Sequence, residues 1–564
     1  MKNKRVLFFI FTLIIVNFLL NIKTLNYSFV EDDYPLIVNN NRIKDINLLV
    51  NSFKTPFFKA TEHPYLHYWR PAILFSYYID YKIWNINPKG FHLTNILIHT
   101  INILLFFSLL GFFTKKWEFA FLSAIVFSIH PAHVENISWI SGRTDLLAIM
   151  FLLLTTLFLY FALKDKKKSP VFFLISLLFF SLALLSKEIA VIFPAIIFSF
   201  FLIVKKIKKG FPLTIPYGLL TLGFIFIHNR FSKAQTLFEN IKLSDTKIIL
   251  KTIGVYFKLL FFPFVKAPLY SMKNFDKESF LPFVLFIIFI FLIFLIIKNR
   301  YRFQTSFFSL PLLFFLIPII NPKIISSYPP IALRFIYATS LFSVIFLAEL
   351  IFLLLKNKRF KGFIIIFLFL FTGYIHRYLY FQGFYKNGFE RADRFTRVYP
   401  AEGIYKIQSA LFYAKKKSYE KALDLVEKAI TLNKNNSWVN IKGKGMVFKA
   451  NLLILTGKSK KAKLILNKMI IGSKEKEIKY YCYLTLAKLY EKGKEYKTAL
   501  SYLEKGEQLF KTSDLYFRKS LIFYYLGDYE KALNSLEKAK KIDSALKNYS
   551  ALKRVITDKL KKTD

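Results

Sequence analysis

LPFVLFIIFIFLIFLII, residues 281–297, is the stretch that decides the fold of this chain. It contains no charged side chain, and a helix built from it has no polar face. Helices of soluble domains carry a polar face, whereas a uniformly apolar run of about 18 residues is long enough to cross a bilayer. The run therefore predicts a membrane-spanning helix.

Similar apolar runs recur before about residue 380, and Lys and Glu dominate only after it. The predicted fold class is all-α, with a polytopic helical bundle over 1–380, a linker over 381–400 and helical repeats over 401–564. The first apolar run resembles a signal peptide, but no small-residue cleavage site follows it, so we expect a retained anchor. We place eleven membrane helices at about 6–22, 92–113, 117–131, 144–163, 170–185, 189–204, 211–228, 279–297, 303–320, 335–355 and 362–379.

The formal net charge of +47 does not require a nucleic-acid partner. Lys and Arg of membrane proteins collect on cytoplasmic loops and near anionic lipid, and no nucleic-acid-binding motif is visible. We therefore expect membrane lipid, and no nucleic acid, among the partners. The single cysteine, Cys482, excludes an intrachain disulfide and a cysteine-based metal site.

The positive charges also predict an orientation, with the N-terminus in the cytoplasm and the repeat domain outside. The expected location is a bacterial inner (plasma) membrane. This requires residues 248–268 to form an interfacial or re-entrant helix rather than a crossing. Longer outer loops are then expected at about 23–91 and 229–278, and a shorter one at 132–143. The short cytoplasmic segments contain 20 Lys and Arg: 1–5, 114–116, 164–169, 205–210, 298–302 and 356–361.

The C-terminal part of the chain repeats itself. YEKAL occurs at 419–423 and again at 529–533, and YKTAL at 496–500 is a third copy. The small residues of these copies and of a weaker fourth recur close to the period of about 34 residues of tetratricopeptide (TPR) repeats, which argues against an irregular bundle. They are Ala422, Ala462, Ala499 and Ala532. Gly527 in LGD at 526–528 is predicted to form the turn of a hairpin.

Two outer segments near the N-terminus carry candidate chemistry. Glu31, Asp32 and Asp33 are adjacent carboxylates that could accept a proton or bind a cation, although a solvated charge run has the same pattern. Arg70, close to His67, precedes an aromatic stretch at 72–84 that suits an interfacial helix. Its guanidinium could bind a lipid-linked phosphate or reach ordinary headgroups.

A third outer segment is the densest in polar residues. His130, His133 and Glu135 could bind a metal, contact phosphate or acceptor, or only pack a loop. Arg143 and Asp145 follow in WISGRTD. Lys187 and Arg334 add charge on the same predicted side. A polar stripe on the second membrane helix could join helices or line a cavity: His92, Asn95, His99 and Asn102.

These blocks together resemble the transmembrane and TPR-repeat-containing O-mannosyltransferases and their bacterial relatives, of the GT-C class. The resemblance rests on the order of five blocks: FVEDD at 29–33, YWRP at 68–71, HPAHVE at 130–135, WISGRTDLL at 139–147 and SKE at 186–188. The membrane half carries them in order, and the trailing repeats agree with the family. The HP-x-H-x-E and ISGR-x-D-L-L blocks together are the most specific part.

The resemblance implies a polytopic membrane fold, a sugar donor on a polyprenyl phosphate and an acidic base in the first outer loop. Asp32 and Asp33 correspond to the acidic pair, and Glu135 to the acid of the second loop. Arg70 and Arg143 correspond to the family's motif arginines. Glu31 stands where relatives vary. The late Glu-Arg-aromatic-x-Tyr motif begins with Leu333 here, so Arg334 is a phosphate candidate that lacks its adjacent glutamate.

The expected reaction is inverting transfer of a sugar, mannose in that family, to a hydroxyl of a protein or envelope-glycan acceptor held by the TPR domain. A carboxylate takes the proton, and Arg70, Arg143, Lys187 and Arg334 stabilise the leaving phosphate. No cofactor is expected, and a divalent metal is not favoured. Two other classes stay open, a non-enzymatic TPR scaffold for envelope assembly and a lipid or polysaccharide transporter or ligase.

Overall fold

The computed structural model describes residues 2–55, 57, 68–165, 167–232, 246–270, 275, 281–288, 310–319, 331–356, 364–432, 441–542, 546 and 548–561. In these ranges the secondary structure is helical, apart from an isolated β-bridge between Leu269 and Ala332. The predicted all-α class is therefore confirmed. The chain divides into two compact units, which we call the membrane unit (Met1–Asn39, Ile43–Phe57 and Tyr68–Asn387) and the repeat unit (chiefly Gly388–Asp564).

The membrane unit contains thirteen labelled α-helices within its described ranges. They are α1 Lys2–Asn21, α2 Ile46–Ser52, α3 Pro71–Trp84, α4 Pro88–Thr114, α5 Trp117–Ile129, α6 Val134–Ser138, α7 Arg143–Lys164, α8 Ser169–Ser186, α9 Phe193–Ile203, α10 Ile207–Ser232, α11 Thr246–Phe261, α12 Ser340–Lys356 and α13 Ile364–Gln382. Proline stands at the first or second position of α3, α4, α8 and α9, where its missing N–H costs no hydrogen bond.

Five helical segments among the described residues are long and apolar enough to span a membrane, so the chain is an integral membrane protein. They are Lys4–Asn26, Pro88–Thr114, Ile140–Lys164, Ser169–Ser186 and Gly210–Phe231. The count of eleven stays a prediction. Residues 281–288 of the opening run are helical, and the remainder of that run lies outside the described residues. The predicted helix at 189–204 begins as a 3-10 turn, Glu188–Ile192, before α9.

Two short 3-10 turns shape the segment between α5 and α7. Pro131–His133 and Ile140–Gly142 flank α6 and reverse the chain within a few residues. A Cβ at Gly142 would lie 2.7 Å from the Cα of Asn136 and 2.7 Å from the carbonyl oxygen of Glu135. Only glycine allows this approach of two backbones. The turn places Ser141 and Arg143 beside α6.

The repeat unit is a series of helical hairpins. Its labelled helices are α14 Gly388–Val398, α15 Gly403–Lys415, α16 Tyr419–Leu432, α17 Ile441–Leu455, α18 Ser459–Gly472, α19 Lys476–Lys492, α20 Tyr496–Glu507, α21 Ser513–Tyr525, α22 Tyr529–Ile542 and α23 Tyr549–Leu560. Helix α14 falls within 381–400, the predicted linker, and packs on α15.

The predicted repeat residues lie where close packing needs them. Each repeat alanine is fully buried: Ala422, Ala462, Ala499 and Ala532. A larger side chain there would push two antiparallel helices apart, at a cost of about 1–3 kcal/mol. Gly527 has a φ of +82° in the turn between α21 and α22, which confirms its predicted role.

Candidate active site

The acidic segment 31–33 forms the first part of the site. Asp33 is fully buried, and its carboxylate accepts hydrogen bonds from the backbone N–H of Val30 at 2.9 Å and from both the N–H and the hydroxyl of Ser141, at 2.9 and 2.5 Å. Burial raises the pKa of Asp33 to about 7, although these hydrogen bonds favour its charged form. Asp33 therefore ties the acidic segment to the turn at Ile140–Gly142.

Its two neighbours have different surroundings. Glu31 is exposed and has a φ of +46°, in the left-handed region that a residue with a Cβ rarely adopts. Asp32 is half-buried, and its carbonyl oxygen accepts a hydrogen bond from the Leu36 N–H at 3.0 Å. Asp32 is thus held at both sides by constrained neighbours and is still partly accessible.

Three cations lie in the same region, and each keeps only 12–13% of its side chain exposed. Each is paired with a carboxylate from a distant part of the chain, which holds the cation in one orientation. The pairs are Arg70–Glu188, Lys187–Asp145 and Arg334–Glu135, with closest nitrogen–oxygen distances of 2.7, 2.6 and 2.5 Å.

The cations of all three pairs lie close enough to Asp145 to interact with it. Arg70, Lys187 and Arg334 all interact electrostatically with its carboxylate. The ring of Phe335 lies 5.6 Å from Lys187 Nζ and 4.5 Å from the guanidinium carbon of Arg334. Burial lowers the pKa of Lys187, and although Asp145 opposes this, the positive charges of Arg70 and Arg334 lower it further. A bound anion would relieve that repulsion.

The residues of 139–141 join the acidic segment to these cations. The indole N–H of Trp139 donates to the Val30 carbonyl at 3.4 Å, and the guanidinium of Arg334 lies 5.6 Å from the Trp139 ring. Ser141 binds Asp33 as described above. The acidic segment and the cation cluster therefore belong to one site.

Glu135 pairs with Arg334, whose own segment begins with Leu333 in place of a glutamate. It is 1% exposed, and its Oε1 lies 2.5 Å from Arg334 Nη1, across 199 residues of chain. Its Oε2 is buried and makes no hydrogen bond with the described residues. The structure thus contains a Glu–Arg pair at Arg334 that the local motif did not predict.

Arg143 is placed differently from the other arginines. Its side chain is 0% exposed, and its Nη2 lies 2.6 Å from Oδ2 of Asp80. Its Nε donates to Asn95 at 2.7 Å and its Nη2 to the Phe91 carbonyl at 3.0 Å, while Nη1 lies 3.4 Å from the Ser76 hydroxyl. All three guanidinium nitrogens have partners inside the helical bundle. This geometry argues against the predicted phosphate contact of Arg143.

His130 and His133 are fully buried inside the membrane unit. His130 Nε2 lies 3.1 Å from the Leu260 carbonyl oxygen, and His133 Nε2 lies 2.8 Å from the Ser340 hydroxyl. Among the described residues, no three His, Cys, Asp or Glu side chains are grouped as metal ligands. His67 lies outside the described residues.

The polar stripe of α4 joins helices. The Asn95 amide lies 3.3 Å from the carbonyl oxygens of Trp139 and Ile140, and the Asn102 amide donates to the Leu146 carbonyl at 3.0 Å. The Tyr337 hydroxyl lies 2.7 Å from His99 Nδ1 and 3.0 Å from the Asn102 amide nitrogen. These hydrogen bonds hold α4 against the segment that carries the site.

Sequence reasoning missed Asp80 and assigned no role to Glu188 or Ser141. A signal for Asp80 was available, because it is the only acidic residue in α3 and an ionisable residue in an apolar helix needs a partner. The partner of Glu188 could not be inferred, since Arg70 lies 118 positions away. Ser141 belongs to the WISGRTDLL block, but nothing in that block identified Asp33 as its partner.

The fold is that of a polytopic membrane protein with C-terminal helical hairpins, and its candidate site combines an acidic segment with three paired cations. A family model described as dolichyl-phosphate-mannose-protein mannosyltransferase matches residues 62–230, and one described as tetratricopeptide repeat matches residues 513–546. The resemblance inferred from the sequence is confirmed for these segments. The first match includes Arg70, Glu135, Arg143 and Lys187 but neither the acidic segment nor Arg334.

Particular relatives agree with that class. A protein O-mannosyl-transferase of Caenorhabditis elegans is 32% identical over 130 residues, which are 22% of this chain and 19% of the relative. One of Drosophila melanogaster is 31% identical over 145 residues, 25% of this chain and 16% of the relative. The chain thus spans less than a fifth of the length of these relatives. The TPR protein YrrB is 19% identical with a TM-score of 0.22, over 29% of this chain and 81% of its own.

Proposed function

We propose that the protein transfers a sugar, mannose in the first instance, from a polyprenyl-phosphate donor to a hydroxyl of a protein or envelope-glycan acceptor. The observation that carries this proposal is the grouping of three paired cations near Asp145, in a region that Trp139 and Ser141 connect to the acidic segment containing the half-buried Asp32. The matches to mannosyltransferases support the choice of sugar.

Asp32 is the proposed base. The acceptor oxygen attacks the anomeric carbon while its proton passes to the Asp32 carboxylate, and the bond between that carbon and the phosphate oxygen breaks. Because the attack comes from the side opposite the leaving group, the anomeric configuration inverts. Asp33 is proposed to position the acidic segment, since all of its described hydrogen bonds serve the fold of 30–33 and 141.

Arg70, Lys187 and Arg334 are proposed to hold the lipid phosphate. A phosphate is already a good leaving group, so it needs positive charge rather than a general acid. Arg70 uses Nε and Nη2 for Glu188, and the described residues supply no hydrogen-bond acceptor for its Nη1. The Nη1 group could donate a hydrogen bond to a phosphate oxygen without breaking the Arg70–Glu188 ion pair. Glu135 and Asp145 are proposed to orient Arg334 and Lys187.

The direct test uses the full purified chain in detergent with a panel of polyprenyl-phosphate sugars. We expect one donor, polyprenyl-phosphate mannose, to be consumed in the presence of hydroxyl-bearing acceptor peptides or glycans. If no donor is consumed with any acceptor, the proposed activity is wrong. That result would favour the scaffold or transporter alternatives.

The donor-binding role of Arg70 gives a first prediction. Arg70→Ala should weaken use of the lipid donor by about 2–5 kcal/mol, because a charge-assisted phosphate contact is lost. Glu188→Gln removes the opposing charge and keeps the side-chain shape, so it should leave the donor KM unchanged or lower it. Donor and acceptor KM values of both variants are measured with the same sugar donor. Equal increases of the donor KM in the two variants would show that only their salt bridge matters.

The orientation gives a second prediction. We propose that the repeat unit lies on the extracytoplasmic side, from the charge distribution of the short loops. Ser501→Cys, at an exposed position of α20, should react with a membrane-impermeant maleimide in intact cells. Lys116→Cys, in a predicted cytoplasmic turn, is the control and should react only after the membrane is opened. The reverse pattern would invert the topology.

Metal dependence gives a third prediction. We expect turnover to persist in EDTA, because paired arginines and a lysine can neutralise the phosphate and because a cation at Asp32 would reduce its basicity. Turnover is measured after chelation and after adding back Mg²⁺, Mn²⁺ or Zn²⁺ one at a time. Activity that disappears with EDTA and returns with a single ion would contradict the expectation. Glu31, the exposed neighbour of Asp32, would then be the first ligand to replace.

A further inference from the structure

Helix α18 of the repeat unit differs from the equivalent second helices of the other hairpins, α16, α20 and α22. Its sequence, SKKAKLILNKMIIG, contains four lysines and no acidic residue. With the flanking Lys458 and Lys474, six lysines fall between residues 458 and 474 without an Asp or Glu among them. Each of the other three helices contains acidic residues. The difference is therefore specific to one repeat.

The buried alanines align the four helices residue by residue. Two positions after the alanine, the exposed residues of the other three helices are Asp424, Ser501 and Asn534, whereas α18 has Leu464. Five positions after it the others have glutamate and α18 has Asn467. Nine positions after it stands Ile471, where the others have Thr431, Gln508 and Lys541. Apolar residues thus replace polar ones at two positions of an exposed face.

These replacements create one continuous surface. Leu464 is 73% exposed and Ile471 is 84% exposed, and seven residues of helix place them on the same face. Lys460, Lys461 and Lys468 are exposed on either side of Leu464, at spacings of three or four residues. We define the α18 face as these three lysines with Leu464, Asn467 and Ile471.

We propose that the α18 face docks on an anionic lipid bilayer. Clustered lysines are attracted to acidic headgroups, and two outward aliphatic side chains can enter the boundary between headgroups and acyl chains. The absence of carboxylates from the helix removes the repulsion that its three counterparts would meet. Covalent attachment to membrane-spanning helices keeps this face at a high effective concentration near a bilayer.

The chemistry favours lipid over a protein or nucleic-acid occupant. An acidic peptide groove would need a concave wall, whereas the α18 face is the outer side of a single helix. A nucleic acid would use the lysines but not Leu464 and Ile471, since phosphate backbones offer no apolar layer. A bilayer surface can bind the lysines through its headgroups and the two aliphatic side chains through its acyl chains. The proposal does not depend on the sugar-transfer activity.

The test places an environment-sensitive fluorophore within the α18 face of the full chain. Asn467→Cys keeps both aliphatic side chains, and the native Cys482 is buried. The equivalent position of α20, Glu504→Cys, is the matched control. Both labelled proteins are reconstituted into phosphatidylcholine vesicles with or without phosphatidylglycerol, and with nitroxide-labelled lipids as quenchers. We expect a blue shift and lipid quenching at 467, only with the anionic lipid, and neither at 504.

A charge reversal completes the test. On the Asn467→Cys background, Lys461→Glu with Lys468→Glu should abolish the blue shift and the quenching. Lys421→Glu with Lys428→Glu, at the equivalent positions of α16, should leave both unchanged. Three results would each overturn the proposal. The signals could be equal at 467 and 504, or they could be independent of lipid charge. The third result is a blue shift that appears without quenching and grows with protein density. The last result would identify a second copy of the chain as the occupant.

Discussion

Asp32→Asn is expected to lower turnover about 10²–10⁴-fold, the range that a positioned general base contributes. The substitution keeps the size and shape of the side chain but removes its basicity. Donor binding depends on the cation cluster and not on Asp32, so the KM for the lipid donor should change little. Steady-state kinetics with purified protein and a single sugar donor measure both quantities.

Asp33→Asn is the matched control. Its carbonyl oxygen can still accept from Ser141, but its amide would face the Val30 N–H, and a buried donor left without an acceptor costs about 1–3 kcal/mol. We therefore expect a lower unfolding temperature for Asp33→Asn and an unchanged one for Asp32→Asn. If Asp32→Asn keeps normal turnover while a stable Asp33→Asn protein loses it, the base is Asp33 instead.

The pH profile separates the same two candidates. The pKa of Asp33 is raised to about 7 by burial, so a base at Asp33 would lose activity as the pH falls through 7. Its folded pKa lies above the ordinary value of an aspartate, so the folded state binds the proton more tightly, and this group's contribution to stability is lost as the pH rises from about 4 to 7. Asp33→Asn should remove that dependence.

Arg143→Met is expected to destabilise the membrane unit by about 3–5 kcal/mol, since it leaves the buried Asp80 carboxylate without its partner. Asn95 and the Phe91 carbonyl lose donors as well. Thermal unfolding of the full chain in detergent measures the change. The donor KM of the folded fraction should be normal, in contrast to Arg70→Ala.

The double variant Arg143→Met with Asp80→Leu is the control for this result. Replacing both partners of a buried ion pair with apolar side chains removes the unpaired charge, so much of the lost stability should return. A stable Arg143→Met protein with a strongly raised donor KM would restore the phosphate role that the sequence motif suggested. The two outcomes differ in both stability and kinetics.

The membrane character and the repeats could be predicted because each is a local property. A run such as 281–297 cannot be solvated by water whatever its neighbours are, and Ala422 or Ala532 is required by a hairpin built from adjacent helices. Gly527 follows in the same way from its turn. The order of the motif blocks supplied the class of activity, and the family match at 62–230 agrees with it.

By itself, the sequence determined an all-helical membrane protein with TPR repeats and an ordered set of charged motif segments. Only the tertiary structure decided which carboxylate pairs with each of the cations. Arg143 and Arg334 look alike in the sequence, yet one is sealed inside the bundle with Asp80 and the other faces the site beside Glu135. Hydrophobic and repeat signals depend on neighbours along the chain. The partner of a buried charge depends on which distant helices pack together, because desolvation makes an ion pair necessary but does not specify its partner.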